Sequence, residues 1–272
     1  MRRIENITYV TRDAIELQLD MALPEGDGPY PAVIHVHGGG WAFGERATTW
    51  IDWLAANGFA AITISYRFTD IACFPAQIHD VKAAIRWVRG HAAEYGIDPE
   101  HIGLWGVSAG GHLSALAACT NGDPLFDGDG NNDYSSDVQC AVPICPPTEF
   151  LINWYAVSEL PDNEEGLALS EAFFGGGIVT TEELRRQASP LWKVGPDAVP
   201  QLIIHGEQDD LVPVSEVRAY AAALREHSVE HELIVDPVLG HDVHIRVDAE
   251  EGEPESLRPQ ILAFFRKHLC PA

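Results

Sequence analysis

The sequence predicts an α/β fold in which a mostly parallel central sheet is covered by helices on both faces. Short apolar runs bounded by turn residues indicate buried strands, and segments with apolar residues at helical spacing lie between them. Their alternation at short intervals is typical of right-handed strand–helix–strand crossovers. With 272 residues, 46% of them hydrophobic, the chain can bury the core that such a domain needs. Because no repeat or linker divides it, we expect one domain over residues 1–272.

The predicted elements follow the chain in order. The first thirty residues alternate apolar and polar side chains, as half-buried antiparallel strands do. Buried strands are predicted at six further places: AVIHV (32–36), FAAITISY (59–66), HIGLWGV (101–107), VQCAVPI (138–144), QLIIHG (201–206) and HELIVD (231–236). Apolar residues at helical spacing predict helices over 75–94, 213–227 and 254–269.

Two segments interrupt this alternation. Residues 121–137, NGDPLFDGDGNNDYSSD, have the composition of a loop. Residues 146–200 lie between two predicted core strands and combine aromatic and acidic residues with a helical stretch, TTEELRRQA. We therefore expect a small cap inserted into the domain at about 146–200.

The charge of the chain limits its partners. With 41 acidic against 17 basic residues the formal net charge is −24, which argues against nucleic acid or an anionic membrane, since both bind clustered Lys and Arg. The N-terminus lacks the apolar core of a signal peptide, and no stretch approaches the roughly 20 apolar residues of a spanning helix. We expect a cytoplasmic protein, with export left open because a trimmed signal peptide would leave the same sequence.

A nucleophile motif lies between a predicted strand and a predicted helix. GLWGVSAGGHLSALAA contains Gly106, Ser108 and Gly110 in the pattern G-x-S-x-G, which holds a serine on a strained turn where side chains at the glycine positions would collide. A serine hydroxyl needs a base, and the base needs a carboxylate that fixes its tautomer. Asp209 follows one predicted strand and His241 follows the next, in the chain order serine, aspartate, histidine.

On these motifs the chain resembles α/β-hydrolases of the esterase/lipase branch. It is most similar to the bacterial feruloyl-esterase-like (BD-FAE-like) group and to hormone-sensitive-lipase-like carboxylesterases. The resemblance covers most of residues 30–270 and is carried by HGGGW, YR, FPAQIHDVKAAIRWVR, GVSAGGH, SSDVQCAV and HGEQDDLVP. It implies Asp209, the aspartate of H-G-x-x-D-x-x-V-P, as the acid and His241 as the base. Asp210 and His244 are the alternatives for these two roles.

The glycine triplet of HGGGW (37–41) is expected to stabilise the oxyanion of a tetrahedral intermediate. Aligned backbone N–H groups stabilise such a charge, and side chains would obstruct them. One donor is normally the N–H of the residue after the nucleophile, here Ala109. The resemblance implies Gly39 and Gly40 as the other donors, with Gly38 serving the turn. The alternative is a flexible turn without a ligand role.

Neither a metal nor another cofactor is expected. His35, His37 and His112 are interpreted as structural histidines. The HDVH spacing at 241–244 resembles a metal site, but the triad explains it without a metal.

The acidic loop DGDGNNDYSSDV matches part of a calcium-binding register. Asn132 stands where that register needs glycine and Val138 where it needs glutamate, so a solvated loop is preferred. The five cysteines show no CxxC spacing, and we expect free, buried thiols.

The motifs predict a serine carboxylic-ester hydrolase that acts through an acyl-enzyme, and the resemblance implies small or aromatic esters of the acetyl or feruloyl type as its substrates. Its expected partner is a small-molecule ester, and the oligomeric state stays open. An amide hydrolase with the same triad is the first alternative, and a non-catalytic binding protein on a hydrolase fold is the second. Six aromatic residues are candidates for the pocket or for a core of the cap: Trp41, Phe43, Trp154, Tyr155, Phe173 and Phe174.

Overall fold

The structure, a computed structural model, describes residues 1–151, 164–177, 179–249, 253 and 256–270. Within these residues the strands are β1 (Arg2–Arg12), β2 (Ile15–Leu23), β3 (Tyr30–Val36), β4 (Ala60–Ile64), β5 (Ile97–Val107), β6 (Cys140–Ile144), β7 (Gln201–Gly206) and β8 (His231–Asp236). They form one eight-stranded sheet in the order β1-β2-β4-β3-β5-β6-β7-β8. β1 pairs antiparallel with β2, and β2 with β4, whereas all the other pairs are parallel.

The helices of the described residues are α1 (Asp52–Ala56), α2 (Ala76–Gly90), α3 (Ala92–Tyr95), α4 (Ala109–Ala118), α5 (Pro124–Asp127), α6 (Glu164–Phe174), α7 (Glu182–Ala188), α8 (Val214–Glu226), α9 (Ile245–Asp248) and α10 (Arg258–Leu269). Short 3-10 turns lie at Thr48–Trp50, Pro190–Lys193 and His241–His244. Among the described residues, none of the helices combines the length and apolar character needed to cross a bilayer.

Both faces of the sheet are covered, because successive side chains of a strand point to opposite faces. On β3, Ile34 belongs to the apolar cluster that includes residues of α2 and α4. Its neighbour Val33 belongs to the cluster that includes residues of α1 and α10. The predicted architecture, a mostly parallel sheet between two layers of helices, is confirmed.

Several predicted boundaries move. The helix predicted over 75–94 is interrupted at His91, whose ring stacks on Trp87 at 4.0 Å and whose Nδ1 bonds to the Trp87 carbonyl. The last helix begins at Arg258, later than predicted, and Pro254 lies outside the described residues. In the segment predicted as a loop, Pro124–Asp127 forms one helical turn that the Asp123 carboxylate caps.

The five cysteines are free, as expected. Cys140 and Cys145 are buried, but Cys73 and Cys270 are exposed, so the expectation of buried thiols is wrong for these two. Cys73 precedes α2 and Cys270 follows α10, and residues at helix ends lie off the apolar faces that pack on the sheet.

The parallel strands bring distant loops to one edge. The carboxyl ends of β3, β5, β7 and β8 lie at the same edge because these strands run in the same direction. The glycine loop follows β3, Ser108 follows β5, Asp209 follows β7 and His241 follows β8. In open α/β sheets, this edge is where ligands bind.

Candidate active site

Ser108 occupies the sharp turn between β5 and α4. Its φ of 55° and ψ of −118° lie in a region that residues other than glycine seldom adopt. The Ser108 N–H donates to the carbonyl of Ile144 on β6 at 2.8 Å, which fixes the turn against the sheet. Strained backbone of this kind is concentrated at functional sites, where the surrounding structure holds it in place.

The two glycines of the nucleophile motif lie against the backbone of β3. A Cβ added to Gly106 would lie 2.5 Å from the carbonyl oxygen of Val36, and one added to Gly110 would lie 1.9 Å from the same oxygen. Cβ atoms essentially never come within 3.0 Å of a heavy atom outside their own residue and its chain neighbours. Side chains at both positions would therefore collide, as the sequence predicts, and the obstacle is the neighbouring strand.

His241 connects Ser108 to Asp209. Its Nε2 lies 2.9 Å from Ser108 Oγ, and its Nδ1 lies 2.8 Å from Asp209 Oδ2. A carboxylate only accepts hydrogen bonds, so Nδ1 carries the hydrogen and Nε2 is free to accept the serine proton. The structure thus brings together the three residues that the sequence predicts for the triad.

The Asp209 carboxylate is buried and bonded at both oxygens. Oδ1 accepts the N–H of Leu211 at 2.9 Å and that of Val212 at 2.8 Å. Oδ2 accepts from His241 and lies 3.3 Å from His205 Nε2. Burial raises the pKa of this carboxyl, but the hydrogen bonds and the nearby histidines outweigh burial and hold the pKa below its usual value. The carboxylate is therefore ionised at neutral pH.

The alternative acid and base lie apart from these contacts. Asp210 is exposed, whereas its neighbour Asp209 is buried against the imidazole. His244 lines the same cavity as Ser108, but the bond to the serine hydroxyl is made by His241, at the start of the same turn.

The loop after β3 turns at Gly39 and Gly40, where φ is +104° and +55°. The Gly39 carbonyl accepts the N–H groups of Ala42 and Phe43 at 2.9 and 3.0 Å, so it closes the turn. The N–H groups of Gly39 and Gly40 have no acceptor within the part of the chain that the structure describes, and both glycines line the cavity of Ser108. Ala109 is the first residue of α4, where helical N–H groups lack an intrahelical partner.

Gly38 is small for a different reason from its two neighbours. A Cβ on Gly38 would lie 2.9 Å from the carbonyl oxygen of Val107, at the end of β5. The loop therefore packs closely on the nucleophile strand at Gly38, and the left-handed backbone of the turn is at Gly39 and Gly40.

Two histidines hold the start of this loop, in agreement with their structural interpretation. The ring of His37 stacks on Tyr66 at 4.4 Å, and its Nδ1 donates to the Gly38 carbonyl at 2.8 Å. His35 Nδ1 lies 3.1 Å from Thr63 Oγ1, and burial lowers the pKa of His35 to about 3. Both rings are buried.

His112 connects the glycine loop to the segment predicted as a cap. The Trp41 indole donates to His112 Nδ1 at 3.1 Å, and His112 Nε2 donates to the Ala188 carbonyl at 2.8 Å. Burial lowers the pKa of His112 to about 4. With both nitrogens bonded and the ring neutral, His112 has the structural role expected of it.

The aromatic candidates divide into two groups. Trp41 is buried, stacks on Phe173 at 4.2 Å and also lines the cavity, whereas Phe173 and Phe174 lie within the aromatic core. Phe43 is 59% exposed and lines the cavity. Trp154 and Tyr155 lie outside the described residues.

The cavity at Ser108 has a volume of about 550 Å³. Part of its lining is apolar: Pro147, Leu169, Leu211 and Val212. Another part comes from the segment after the glycine loop and consists of Phe43, Glu45 and Trp50. Cavities of this size with apolar walls and few polar groups are typical of small-molecule sites.

Three residues at the site escaped sequence reasoning. His205 lies beside Asp209. It is the histidine of the H-G-x-x-D motif, and this position in the motif could have identified it as a residue of the site. Cys145 lies with its Sγ 3.5 Å from the His241 carbonyl, and Glu45 lines the cavity. Nothing in their local sequence marks these two, because both reach the site through the folding of the chain.

Cys145, His205 and Asp209 offer potential metal ligands within 4.8 Å of one another. Asp209 Oδ2 is already bonded to His241, however. Burial raises the pKa of the Cys145 thiol well above its usual value, and a neutral thiol is a poor metal ligand. The chemistry of this donor set agrees better with support of the triad than with a metal.

The protein's own cations hold the acidic loop. Arg86 donates to the carbonyls of Asp129 and Gly130 at 3.1 and 2.7 Å, and Arg12 also donates to the Asp129 carbonyl. Lys82 Nζ lies 3.6 Å from an Asp127 oxygen. The preferred interpretation of a merely solvated loop is thus incomplete, and these fixed positive charges oppose a calcium ion.

Comparison with known proteins gives a consistent result. A model of the BD-FAE family matches residues 19–224. A probable carboxylic ester hydrolase of Mycobacterium tuberculosis, LipM, is 35% identical over 205 residues, which are 74% of this chain and 46% of LipM. The chain therefore spans about half the length of the curated relatives it matches.

Solved structures resemble nearly the whole chain. A truncated carbohydrate esterase from gut microbiota has a TM-score of 0.84 at 28% identity, covering 100% of this chain and 97% of its own. Esterase 2 of Thermogutta terrifontis, solved after phosphonylation by sarin, has a TM-score of 0.79 at 26% identity, covering 98% of this chain and 96% of its own.

Proposed function

The chain belongs to the BD-FAE family, and we propose that it is a serine carboxylic-ester hydrolase that works through an acyl-enzyme. The observation that carries the proposal is the hydrogen-bonded series from Asp209 through His241 to Ser108. Two similar proteins described as ester hydrolases support the reaction class. Organophosphorus reagents modify activated nucleophiles, so the neighbour phosphonylated by sarin supports a nucleophilic step.

In the first half-reaction Ser108 Oγ attacks the ester carbonyl while His241 Nε2 removes its proton. Asp209 holds the imidazole in the required tautomer and stabilises its positive charge. The carbonyl oxygen becomes an oxyanion, which the N–H groups of Gly39, Gly40 and Ala109 stabilise. Each such donor typically contributes a factor of about 10² to 10³ in kcat.

Collapse of this intermediate breaks the bond to the alcohol, and His241 donates its proton to the departing oxygen. The acyl group remains bonded to Ser108. Water then attacks the acyl-enzyme, with His241 again taking a proton, and the acid is released as the serine regains its hydrogen. The proposed mechanism uses no cofactor.

We further propose small or aromatic acyl groups, of the acetyl or feruloyl type, as substrates. A cavity of about 550 Å³ accommodates either acyl group together with a modest alcohol. We also propose that residues 1–272 form one domain and that the segment at about 146–200, which supplies Pro147 and Leu169 to the cavity, acts as a cap.

The decisive experiment joins covalent labelling to turnover. A fluorophosphonate should add one label per chain, located at Ser108 by peptide mass spectrometry, and acetyl, butyryl, octanoyl and feruloyl esters should be hydrolysed. Ser108→Ala should abolish both, whereas Ser215→Ala, an exposed serine on α8, should retain both. Absence of turnover with every ester, or full activity in Ser108→Ala, would refute the proposal. Faster cleavage of matched anilides than of esters would favour the amide hydrolase alternative.

A further inference from the structure

Among the described residues that line it, the cavity of Ser108 has one carboxylate and no fixed positive charge. All 17 Lys and Arg residues of the chain belong to the part that the structure describes, and none of them lines the cavity. Glu45 does line it, with an exposed side chain. The segment 152–163, outside the described residues, has acidic residues but neither Lys nor Arg in its sequence, so it has no positive side chain to contribute.

The charge of Glu45 is not cancelled by its basic neighbour. Arg46 Nε lies 3.0 Å from Asp20 Oδ2, and the same guanidinium donates to Gln18 on β2 at 3.0 Å. The histidines nearest the glycine loop do not compensate either. Burial lowers the pKa of both His35 and His37, which keeps them neutral at pH 7. The site is therefore negative, in a protein whose formal net charge is −24.

Two exposed aromatic side chains accompany the carboxylate. Phe43 is 59% exposed and Trp50 is 36% exposed, and both belong to the cavity lining. A carboxylate together with aromatic rings is the combination that recognises quaternary ammonium groups, since each ring face attracts a cation and the carboxylate supplies the counter-charge.

The exposure of the cavity wall formed by Phe43, Glu45 and Trp50 indicates which half of an ester this wall contacts. The alcohol leaves the site while the acyl group is still bonded to Ser108, so the alcohol needs the side of the cavity that is open to solvent. Phe43, Glu45 and Trp50 are all exposed, whereas Trp41 and Val212 in the same lining are buried.

We propose that this site selects esters whose alcohol carries a permanent positive charge, choline esters being the simplest example. Glu45, Phe43 and Trp50 form the subsite for the cationic group. The proposal rests on the ester hydrolase function proposed above and names the substrate class of that site. Esters with an anionic alcohol are correspondingly poor substrates, because no cation in the cavity offsets their repulsion from Glu45.

The test compares two esters of the same shape. Acetylcholine and 3,3-dimethylbutyl acetate differ in that a quaternary nitrogen replaces a quaternary carbon, so the ratio of their kcat/KM values isolates the charge. Glu45→Gln should lower this ratio about fivefold, the upper range for an exposed ion pair. Phe43→Leu should lower it about threefold, in line with an exposed cation–π contact. Raising the ionic strength should reduce the ratio more in the wild type than in Glu45→Gln, where only the remaining negative charge of the protein is screened.

The matched control is Glu226→Gln, which removes the same charge from an exposed position at the end of α8, away from the edge of the sheet that carries Ser108. Its ratio should equal that of the wild type. A ratio that is the same in the wild type and in Glu45→Gln would overturn the proposal.

A binding measurement separates this proposal from the hydrolase function. Calorimetric titration of Ser108→Ala with the two esters gives their relative affinity without turnover. Tighter binding of acetylcholine that is lost in the Ser108→Ala/Glu45→Gln double variant supports the cationic subsite even if neither ester is hydrolysed. Hydrolysis of both esters with equal affinity for both leaves the hydrolase function intact and refutes the subsite.

Discussion

One oxygen atom, Asp209 Oδ2, lies next to two histidines with different roles. His241 donates to it at 2.8 Å, and His205 Nε2 lies 3.3 Å from it and 2.9 Å from the Val212 carbonyl. Since a carbonyl only accepts, His205 Nε2 carries the hydrogen and donates it to Val212, whose own N–H donates to Asp209 Oδ1 at 2.8 Å. Burial lowers the pKa of His205, so the ring is neutral. His205 therefore holds the backbone that donates to the Asp209 carboxylate, and it adds no full positive charge beside that carboxylate.

We expect His205→Phe to lower kcat about tenfold, because the Val212 carbonyl loses its donor and the backbone that orients the Asp209 carboxylate is held less firmly. Leaving a buried acceptor unpaired costs about 1 to 3 kcal/mol. Without the partly positive His205 N–H 3.3 Å from Oδ2, the Asp209 carboxylate interacts more strongly with the His241 imidazolium. The acid limb of the pH profile of kcat/KM should therefore move to higher pH. His205→Gln, which keeps an N–H, should restore part of both effects.

The control for this prediction is His231→Phe, at the start of β8 and at the opposite edge of the sheet from Ser108. Its kcat and pH profile should match those of the wild type. If His205→Phe lowered stability but left both the rate and the profile unchanged, His205 would be a packing residue only.

Among the elements, helix α6 contributes to the wall of the cavity beside the glycine loop. Leu169 on α6 lines the cavity, and a Cβ added to Gly40 would lie 2.9 Å from Leu169 Cδ1. The same helix is anchored by Phe173, whose ring stacks on Trp41. The helix thus covers the glycine loop and carries a branched apolar side chain to the space beside it.

Leu169→Ala should extend the range of acyl groups that the site accepts. Removing the branched side chain leaves room for further methylene groups, each contributing about 0.8 kcal/mol when buried. We expect the ratio of kcat/KM for octanoyl to that for acetyl esters to rise at least fivefold. Leu184→Ala on α7, which packs on the core but does not line the cavity, should leave the ratio unchanged. An unchanged ratio in Leu169→Ala would place the acyl group elsewhere.

The strands were predictable because a short run of apolar residues, which lies within the strand itself, is enough to indicate each of them. The run AVIHV predicts a buried strand, and β3 is buried along it, since its residues face a helix layer on either side. The triad followed from the order of Ser108, Asp209 and His241 and from the rule that parallel strands end at one edge. The contribution of α6 was not predictable, because Leu169 meets Gly40 through tertiary packing that no short sequence pattern contains.

At the scale of the whole molecule, several buried ionisable groups are kept neutral by the fold. Burial lowers the pKa of His35 to about 3 and that of His112 to about 4. Glu216 is the opposite case, since burial raises its pKa to about 8 and keeps it protonated at neutral pH. The pH dependence of stability is the sum of these terms, and histidines and Glu216 contribute with opposite signs.

The contribution of His112 can be isolated by comparing variants. In the unfolded chain His112 has the ordinary histidine pKa of about 6.5, so below that pH it is protonated there but stays neutral in the folded protein. The contribution of His112 to the free energy of unfolding is therefore complete above about pH 6.5 and is lost as the pH falls toward 4. Between pH 7 and 5 this loss amounts to about 2 kcal/mol, from 1.4 kcal/mol per pH unit over about 1.5 units.

His112→Gln removes this titration while retaining an acceptor for Trp41 and a donor for Ala188. The free energy of unfolding is measured by urea unfolding followed by tryptophan fluorescence at pH 7 and at pH 5. On going from pH 7 to pH 5, the wild type should lose about 2 kcal/mol more of this free energy than His112→Gln does. The terms of Glu216 and His35 cancel in this difference because both proteins contain them. His227→Gln, at an exposed position, should behave as the wild type. Equal pH dependence in His112→Gln and the wild type would mean that the folded protein protonates His112 as readily as the unfolded chain, against the burial and hydrogen bonding seen in the structure.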